Sequence, residues 1–433
     1  MDREQNIYPS LRALRRAMVV GDMQHLTHAA HALRRSQSAI TRSIAGLEKF
    51  LGVQLFERTV TGMLKTSAGE VLFRRVRNAV DHMARAEVEL AARPTGVSHL
   101  PNSLSFLRFE VSNTAIFLFL SICDHRDFRR AAASSGIAVS TARKSIHGLE
   151  RQLGVPLFER EPRNAVRPSK FAEIIARHTK RALWEVRAGL DELRALDGSI
   201  GGKIRIGVMS TARSSVVPQA VDRLRRAHSD VLVSVFWANY DDLKYALSCG
   251  DIDFIVGTLR DDDVDAADIH VERLVHDVIE VVSSAQHPMA GVEEVSLKDL
   301  LDLDWILPPD YFPLRIWFRK LLHAHGLSEP KPFIETASLA ILRGVLLESD
   351  CVALSTRLQC WYDTVKHGLM RVVPVRELKD PGPFYLHMSK RKDAEMSPAA
   401  EVLYRMVADV SKHLKERALS AESQAVAQVP EKS

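Results

Sequence analysis

Ser36, Gln37, Ser38, Thr41 and Arg42 bring hydroxyl, amide and guanidinium groups within seven residues, a spacing that gathers them at the N-terminal tip of a helix. Such a tip suits the DNA major groove. Gln fits adenine N6 and N7, hydroxyls fit bases or phosphates, and Arg fits guanine or phosphate. A second set, Val139, Ser140, Thr141, Arg143 and Lys144, offers a contact for a thymine methyl, hydroxyls and two cations. Arg58 follows the first set, and Arg160, Arg163 and Arg167 follow the second, placed to touch phosphates. A solvated helix face with its cap explains either set equally well when taken alone.

Catalytic signatures are missing. The chain has no Gly-rich phosphate loop, GxSxG elbow or HExxH, and Asp261-Asp262-Asp263 reads as a solvated turn. Cys123, Cys249, Cys351 and Cys360 have no ligand-like spacing, which argues against a disulfide framework or a zinc site. Cys351 and Cys360 are the one candidate redox pair, with nothing nearby to lower a thiol pKa. The expectation is no enzyme, no metal and no cofactor.

Self-comparison gives these residues a frame. Gly46-Leu47-Glu48 and Leu51-Gly52-Val53-Gln54-Leu55-Phe56-Glu57-Arg58 recur as Gly148-Leu149-Glu150 and Leu153-Gly154-Val155-Pro156-Leu157-Phe158-Glu159-Arg160, so Gly52 and Gly154 set an offset of 102. At that offset Asp22 meets Asp124, Ala29-Ala30 meets Ala131-Ala132, Ser38 meets Ser140 and Ser43-Ile44 meets Ser145-Ile146. Each copy predicts three helices, a wing and a long helix. In the first, helices span Leu11 to Val20, Leu26 to Leu33 and Ser36 to Phe50, and the alanine pair lets two of them cross closely in a helix-turn-helix. The copies differ at the tip: Gln37 makes the first the stronger base reader, while Val139 and the richer wing make the second lean on phosphate.

Behind the wings run apolar stripes, Leu72, Val76, Ala79, Met83, Ala86 and Leu90 in one helix and Ala172, Ala176, Thr179, Leu183, Val186, Leu190 and Leu193 in the other. Each fits docking on its own core or a two-helix seam. The segment Arg93 to Ser103 has linker composition and permits antiparallel pairing within one chain.

Charge divides the chain of 433 residues. Residues 1–198 hold 31 Lys and Arg against 20 Asp and Glu, and the remainder 28 against 34, so a basic half suited to a polyanion precedes an acidic half. No run of about 18 apolar residues or signal-like start appears, which predicts no membrane contact and a cytoplasmic location. From Lys203 short apolar strands alternate with amphipathic helices, the pattern of an α/β domain with a largely parallel sheet. Ligands in such folds sit beyond strand carboxyl ends. Ser210, Thr211 and Arg213, then Gly257 and Thr258, then Thr336 and Ser338 occupy such places and can hold a small anion; plain N-capping accounts for them equally.

The run Ala29-Ala30, Ser36 to Ile44, Leu47-Glu48, Leu51-Gly52-Val53, Leu55 to Arg58 and Thr66-Ser67-Ala68-Gly69 resembles the winged helix-turn-helix of LysR-type transcriptional regulators. Lys203 to Gly207, Asp251-Ile252-Asp253, His287-Pro288 and Glu335 to Ser338 resemble, more loosely, their effector domain. The departures are two helix-turn-helix copies, Ser38 in place of proline, Thr61 in place of a wing arginine, Ala138-Val139 in place of Ser-Gln, Lys170-Phe171 in place of Ala-Gly, and no glycine near Glu348-Ser349-Asp350. The resemblance implies a multidomain chain: winged helix-turn-helix domains at 6–67 and 107–169, linker helices at 68–92 and 170–197, and an interdomain linker at 93–106. It further implies an α/β, two-lobed, periplasmic-binding-protein-like effector domain at 202–415, with lobe I at 202–284 and 367–415 and lobe II at 285–366; a disordered tail is expected at 416–433. The implied partners are double-stranded DNA, a small-molecule effector and further copies in a homodimer or homotetramer. A ligand-independent repressor or architectural protein, whose C-terminal domain only oligomerises, is the competing reading.

Overall fold

A computed structural model describes residues 8–59, 62–92, 109–160, 165–258, 268–378 and 384–427. The chain divides into two compact units, 1–201 with Ser248–Asp251, and 202–247 with 252–433. In the first unit Ser10 caps α1 (Leu11–Met23), α2 (Leu26–Ala32) follows, and the Ser36 hydroxyl accepts from Ala39 N at 3.3 Å to start α3 (Gln37–Leu51). Gly52, at φ 72°, ends α3 in the left-handed region that glycine enters freely. The strands β1 (Phe56–Thr59) and β2 (Gly62–Lys65) pair antiparallel as a wing, and Thr66 caps α4 (Ser67–Ala91). The succession returns as α5 (Asn113–His125), α6 (Phe128–Ser134), α7 (Val139–Leu153), β3 (Phe158–Arg160), β4 (Val166–Pro168) and α8 (Lys170–Ala195).

The alanine pairs of α2 and α6 are buried at their helix crossings, and Ile40, Ile44 and Leu47 of α3 match Ala142, Ile146 and Leu149 of α7 on the inward face. The offset changes after the wing. Thr66 caps α4 and Ser169 caps α8, 103 positions apart, so the second wing is one residue longer. This corrects the alignment of Lys170-Phe171 with Ala68-Gly69: Phe171-Ala172 stands there instead. A Cβ on Gly69 would lie 2.3 Å from the Leu55 carbonyl oxygen, and Ala172 is the smallest side chain that could replace it.

One core joins both copies, and they meet by exchanging equivalent contacts. Tyr8 packs against Phe117 with ring centres 5.3 Å apart and Arg15 pairs with Glu110, where Glu110 is the counterpart of Tyr8 and Phe117 that of Arg15. Between them Leu11 N donates to Asn113 Oδ1 at 3.1 Å, a contact between counterparts. The helices α4 and α8 run antiparallel: Arg74 and Arg75 reach Glu192, while their counterparts Arg177 and His178 reach Glu89. His82 faces its own counterpart Glu185 at 4.0 Å, which puts a pseudo-twofold axis through the middle of the seam.

The second unit holds two five-stranded sheets. In the first, β5 (Gly202–Val208) lies between β6 (Val231–Phe236) and β7 (Phe254–Gly257), parallel to both, and β14 (Tyr385–Arg391) joins β7 antiparallel to β8 (Ile269–His276). The helices α9 (Ser210–Arg213), α10 (Val216–Ala227) and α11 (Tyr240–Cys249) connect these strands. The second sheet contains β9 (Ile279–Ser284), β10 (Trp305–Leu307), β11 (Pro332–Glu335), β12 (Val352–Thr356) and β13 (Met370–Val373), with α12 (Leu297–Leu300), α13 (Pro313–Ala324), α14 (Leu339–Glu348) and α15 (Arg357–Trp361) between them. The expected lobe limits are thereby corrected, since β9 and β13 belong to the second sheet. Only residues 277 and 278 separate β8 from β9, so the crossing between sheets carries no turn signature. The last helix, α16, spans Pro398–Ala427 and overruns the expected tail boundary at 416, as its Ala, Glu and Lys content favours.

Candidate DNA tips and effector pocket

The tip of α3 is open. Ser36, Gln37, Ser38 and Arg42 are exposed and Thr41 is half-buried. Gln37 Nε2 donates to Thr27 Oγ1 at 2.9 Å, which fixes the amide and leaves its carbonyl and second N–H turned to a ligand. The Thr41 hydroxyl donates back to the Gln37 carbonyl at 3.0 Å, and Arg42 Nε reaches the Ser38 carbonyl at 3.4 Å. Arg58 is exposed on the wing, and a cleft of about 600 Å³ lies between wing and helix, lined in part by His25, Thr27, Thr41, Gln54 and Arg58. Thr27 escaped the sequence reading; its offset from Gln37, from the start of one helix to the start of the next, is the signal that could have found it.

The tip of α7 differs in kind. Val139 is half-buried against the core, Ser140, Thr141 and Lys144 are exposed, and the Arg143 guanidinium lies 4.9 Å over the Phe128 ring. Arg129 and Arg130, exposed at the start of α6, take the places of Thr27 and His28 and were missed because only the third helix was searched. Arg167 is exposed and pairs with Glu159 at 2.6 Å. Thr61, Arg163, Asp261 to Asp263 and the linker Arg93 to Ser103 lie outside the described residues, as do the side chains of Arg160 and Thr211.

Burial and pairing compete in the seam. Burial alone would raise the Glu89 carboxyl, but hydrogen bonds from Arg177 and His178 outweigh it and hold the group below the usual carboxylate range. Burial lowers His178 in turn, with Glu89 opposing. Arg75 and Glu185, each 1% exposed in the side chain, meet at 2.9 Å.

In the second unit Ser210 and Arg213 sit on α9 immediately after β5, and Gly257 and Thr258 close the adjacent β7, so these two groups converge. The Arg213 guanidinium, lowered in pKa by burial, lies 4.8 Å over the Trp237 ring. Gly257 is needed where it stands, because a Cβ there would lie 2.5 Å from the Met209 side chain. Thr336 and Ser338 follow β11 on the second sheet. The Ser338 hydroxyl caps α14, and Thr336 Oγ1 accepts from Ser338 N at 3.0 Å, so local capping uses both. Packed against α9 is α15, which the sequence reading did not single out. Asp277, wholly buried at the crossing between the sheets, accepts from Leu358 N at 3.0 Å and so holds the start of α15; burial pushes its carboxyl up to about 7. The Ser215 hydroxyl at the start of α10 is buried with no hydrogen-bond partner among the described residues.

The cysteines are all free, and burial pushes the Cys360 thiol up to about 12, which disfavours its thiolate. Among the described residues no group of three or more His, Cys, Asp or Glu is placed to hold a metal ion, and no helix is long and apolar enough to cross a membrane.

Three helices closed by a two-stranded wing, with the tip of the third exposed, define a DNA-binding head; an α/β body of two sheets follows it. Comparison with known proteins agrees. The bacterial regulatory helix-turn-helix protein, lysR family, matches residues 11–70 and again 114–173, and the LysR substrate binding domain matches 197–412. The chain is 30% identical to the HTH-type transcriptional regulator GalR of Pseudomonas putida over 403 residues, 93% of this chain and 97% of that one. It is 31% identical to GbpR of Azospirillum brasilense over 299 residues, 68% of this chain and 85% of that one. A full-length OxyR variant from Pseudomonas aeruginosa superposes with a TM-score of 0.50 at 20% identity, covering 69% of this chain and 94% of that one, a likeness of fold. The chain belongs to the LysR family: it is a DNA-binding transcriptional regulator with an effector-binding domain.

Proposed function

We propose that one chain carries two winged helix-turn-helix heads and presents them to double-stranded DNA as an internal counterpart of the family's dimer. The exchange of equivalent contacts across the α4–α8 seam supports this reading above all, because isologous contacts are what relate the two subunits of a symmetric dimer. Ser36, Gln37, Ser38, Thr41, Arg42 and Arg58 serve the first head. Ser140, Thr141, Lys144, Arg160, Arg163 and Arg167 serve the second, chiefly through phosphate, with Val139 half-buried and Arg143 set over Phe128 beside them.

The two-sheet body works as a periplasmic-binding-protein-like clamp for a small organic anion. Ser210, Thr211, Arg213, Gly257 and Thr258 surround that anion, and α15 closes on it. Two chains joined through these bodies in the cytoplasm supply four heads, and a second such pairing is not needed. Light scattering with footprinting tests the arrangement: a dimer of chains protecting two half-site pairs is expected, and a tetramer protecting no more than one pair would overturn it. Thermal shift against small carboxylates tests the clamp, since a ligand that binds only the folded state raises its melting temperature.

A further inference from the structure

We propose that each chain binds a directional stretch of DNA, with bases specified under the first head and the duplex gripped without base readout under the second. The inference rests on the reading of both heads as DNA-binding. A symmetric dimer must read both half-sites alike, because its tips are identical. Here the pseudo-twofold axis through His82 and Glu185 relates tips that share Ser38 and Ser140 but differ where Thr27 meets Arg129, Gln37 meets Val139 and Thr41 meets Arg143.

Gln37 and Thr27 form one pair, with the amide held at 2.9 Å and ready for the two-point pattern of adenine. Their counterparts, Val139 and Arg129, cannot form that pair. Val139 turns its side chain partly into the core, and Arg129 extends into solvent beside Arg130 where the first head has Thr27 and His28. Thr41 is replaced by Arg143, whose guanidinium is parked on Phe128 rather than aimed outward. The second head therefore loses its fixed amide and gains two cations at the start of the helix that in this motif crosses the phosphate backbone. One chain joins the heads through a continuous core, so their order along the duplex is fixed and the bound site acquires a polarity.

Two exchanges between the heads separate the roles, both made in the full chain and read by site selection from random duplexes and by titration over a range of salt. Gln37→Val writes the second head's residue into the first. It is expected to lower the ratio of specific to non-specific affinity by about 5- to 150-fold while leaving the salt slope unchanged. Arg129→Thr with Arg130→His writes the first head's residues into the second. It is expected to reduce the slope of log K against log salt by up to about 2 and to leave the selected sequence intact. Preference surviving Gln37→Val, or relaxing in the Arg129→Thr, Arg130→His protein, overturns the division while DNA binding stands. Binding by the unaltered chain with no preference for any duplex overturns the division too, and failure of that chain to bind duplex DNA overturns the two-headed reading itself.

Discussion

Replacing Arg75 with alanine tests whether the seam between α4 and α8 is what holds the two heads together. Its guanidinium bonds Glu185 at 2.9 Å and Glu192, and with both Arg75 and Glu185 1% exposed the pair is shielded from water. In Arg75→Ala the Glu185 carboxylate loses its buried guanidinium partner, while the Asn78 amide at 3.3 Å and His82 at 4.0 Å stay beside it. Removing one member of a buried pair costs about 3–5 kcal/mol, because the remaining charge stays desolvated. For a unit of this size each kcal/mol shifts melting by about 2–4 °C, so the N-terminal transition should fall by about 6–20 °C. Calorimetry of the full chain reads this as a separate step if the two units unfold independently. A second variant, Arg75→Met with Glu185→Leu, removes both charges and fills the space with apolar groups, while Arg74 still holds Glu192 at 2.7 Å. It should recover to within about 2 kcal/mol of the unaltered protein. If Arg75→Ala costs less than about 1 kcal/mol, or the double variant is as unstable as the single one, charge burial does not lock the seam.

Asp277 should make the C-terminal unit pH-dependent. Its folded pKa of about 7 lies above the unfolded value near 3.9, so stability is fullest below about pH 4 and is lost as pH rises through 7, by up to about 4 kcal/mol; Asp277→Asn should flatten that trend in urea melts at pH 5.5 and 8, and an unchanged slope refutes the assignment. Gly189 lets α8 approach α4, since a Cβ there would lie 2.9 Å from Arg75 Cβ; Gly189→Val should cost about 1–3 kcal/mol in denaturant titration, whereas neutrality would mean the helices can part freely. Arg34 holds φ 50° where its counterpart is Gly136 at φ 63°, so Arg34→Gly should stabilise the first head by about 1 kcal/mol, and a lower urea midpoint would contradict that.

The duplication was legible because it is written in local signals. Ser10 marks a helix start through its hydroxyl and Gly52 a helix end through its left-handed backbone, and both marks recur at one spacing as Ser112 and Gly154, while Ser36 meets Ala138. The longer second wing was not legible, because the matching run ends at Arg160 and the next fixed point is the cap at Ser169. The crossing between sheets was hidden for a related reason: only residues 277 and 278 part β8 from β9, and their pairing partners, β14 and β12, are what tell the two sheets apart. Of the candidate anion-holding loops, those after β5 and β7 stand side by side because the two strands pair in parallel. The sequence could not point to α15, which is brought to α9 by tertiary packing alone.

The direction of the seam was within reach, had polar as well as apolar positions been followed. Arg75, His82 and Glu89 recur every seven residues along α4, as do His178, Glu185 and Glu192 along α8, flanking the apolar stripes. Laid parallel, these series would set Arg75 against His178 and Glu89 against Glu192, the second a like-charge contact between carboxylates. Laid antiparallel, they set Arg75 against Glu192, His82 against Glu185 and Glu89 against His178, and each carboxylate gains a donor. The apolar stripes bury equally well in either direction and cannot choose. The charge pattern can, and by choosing the antiparallel arrangement it fixes the twofold relation between the two copies on which the proposed two-headed grip on DNA depends.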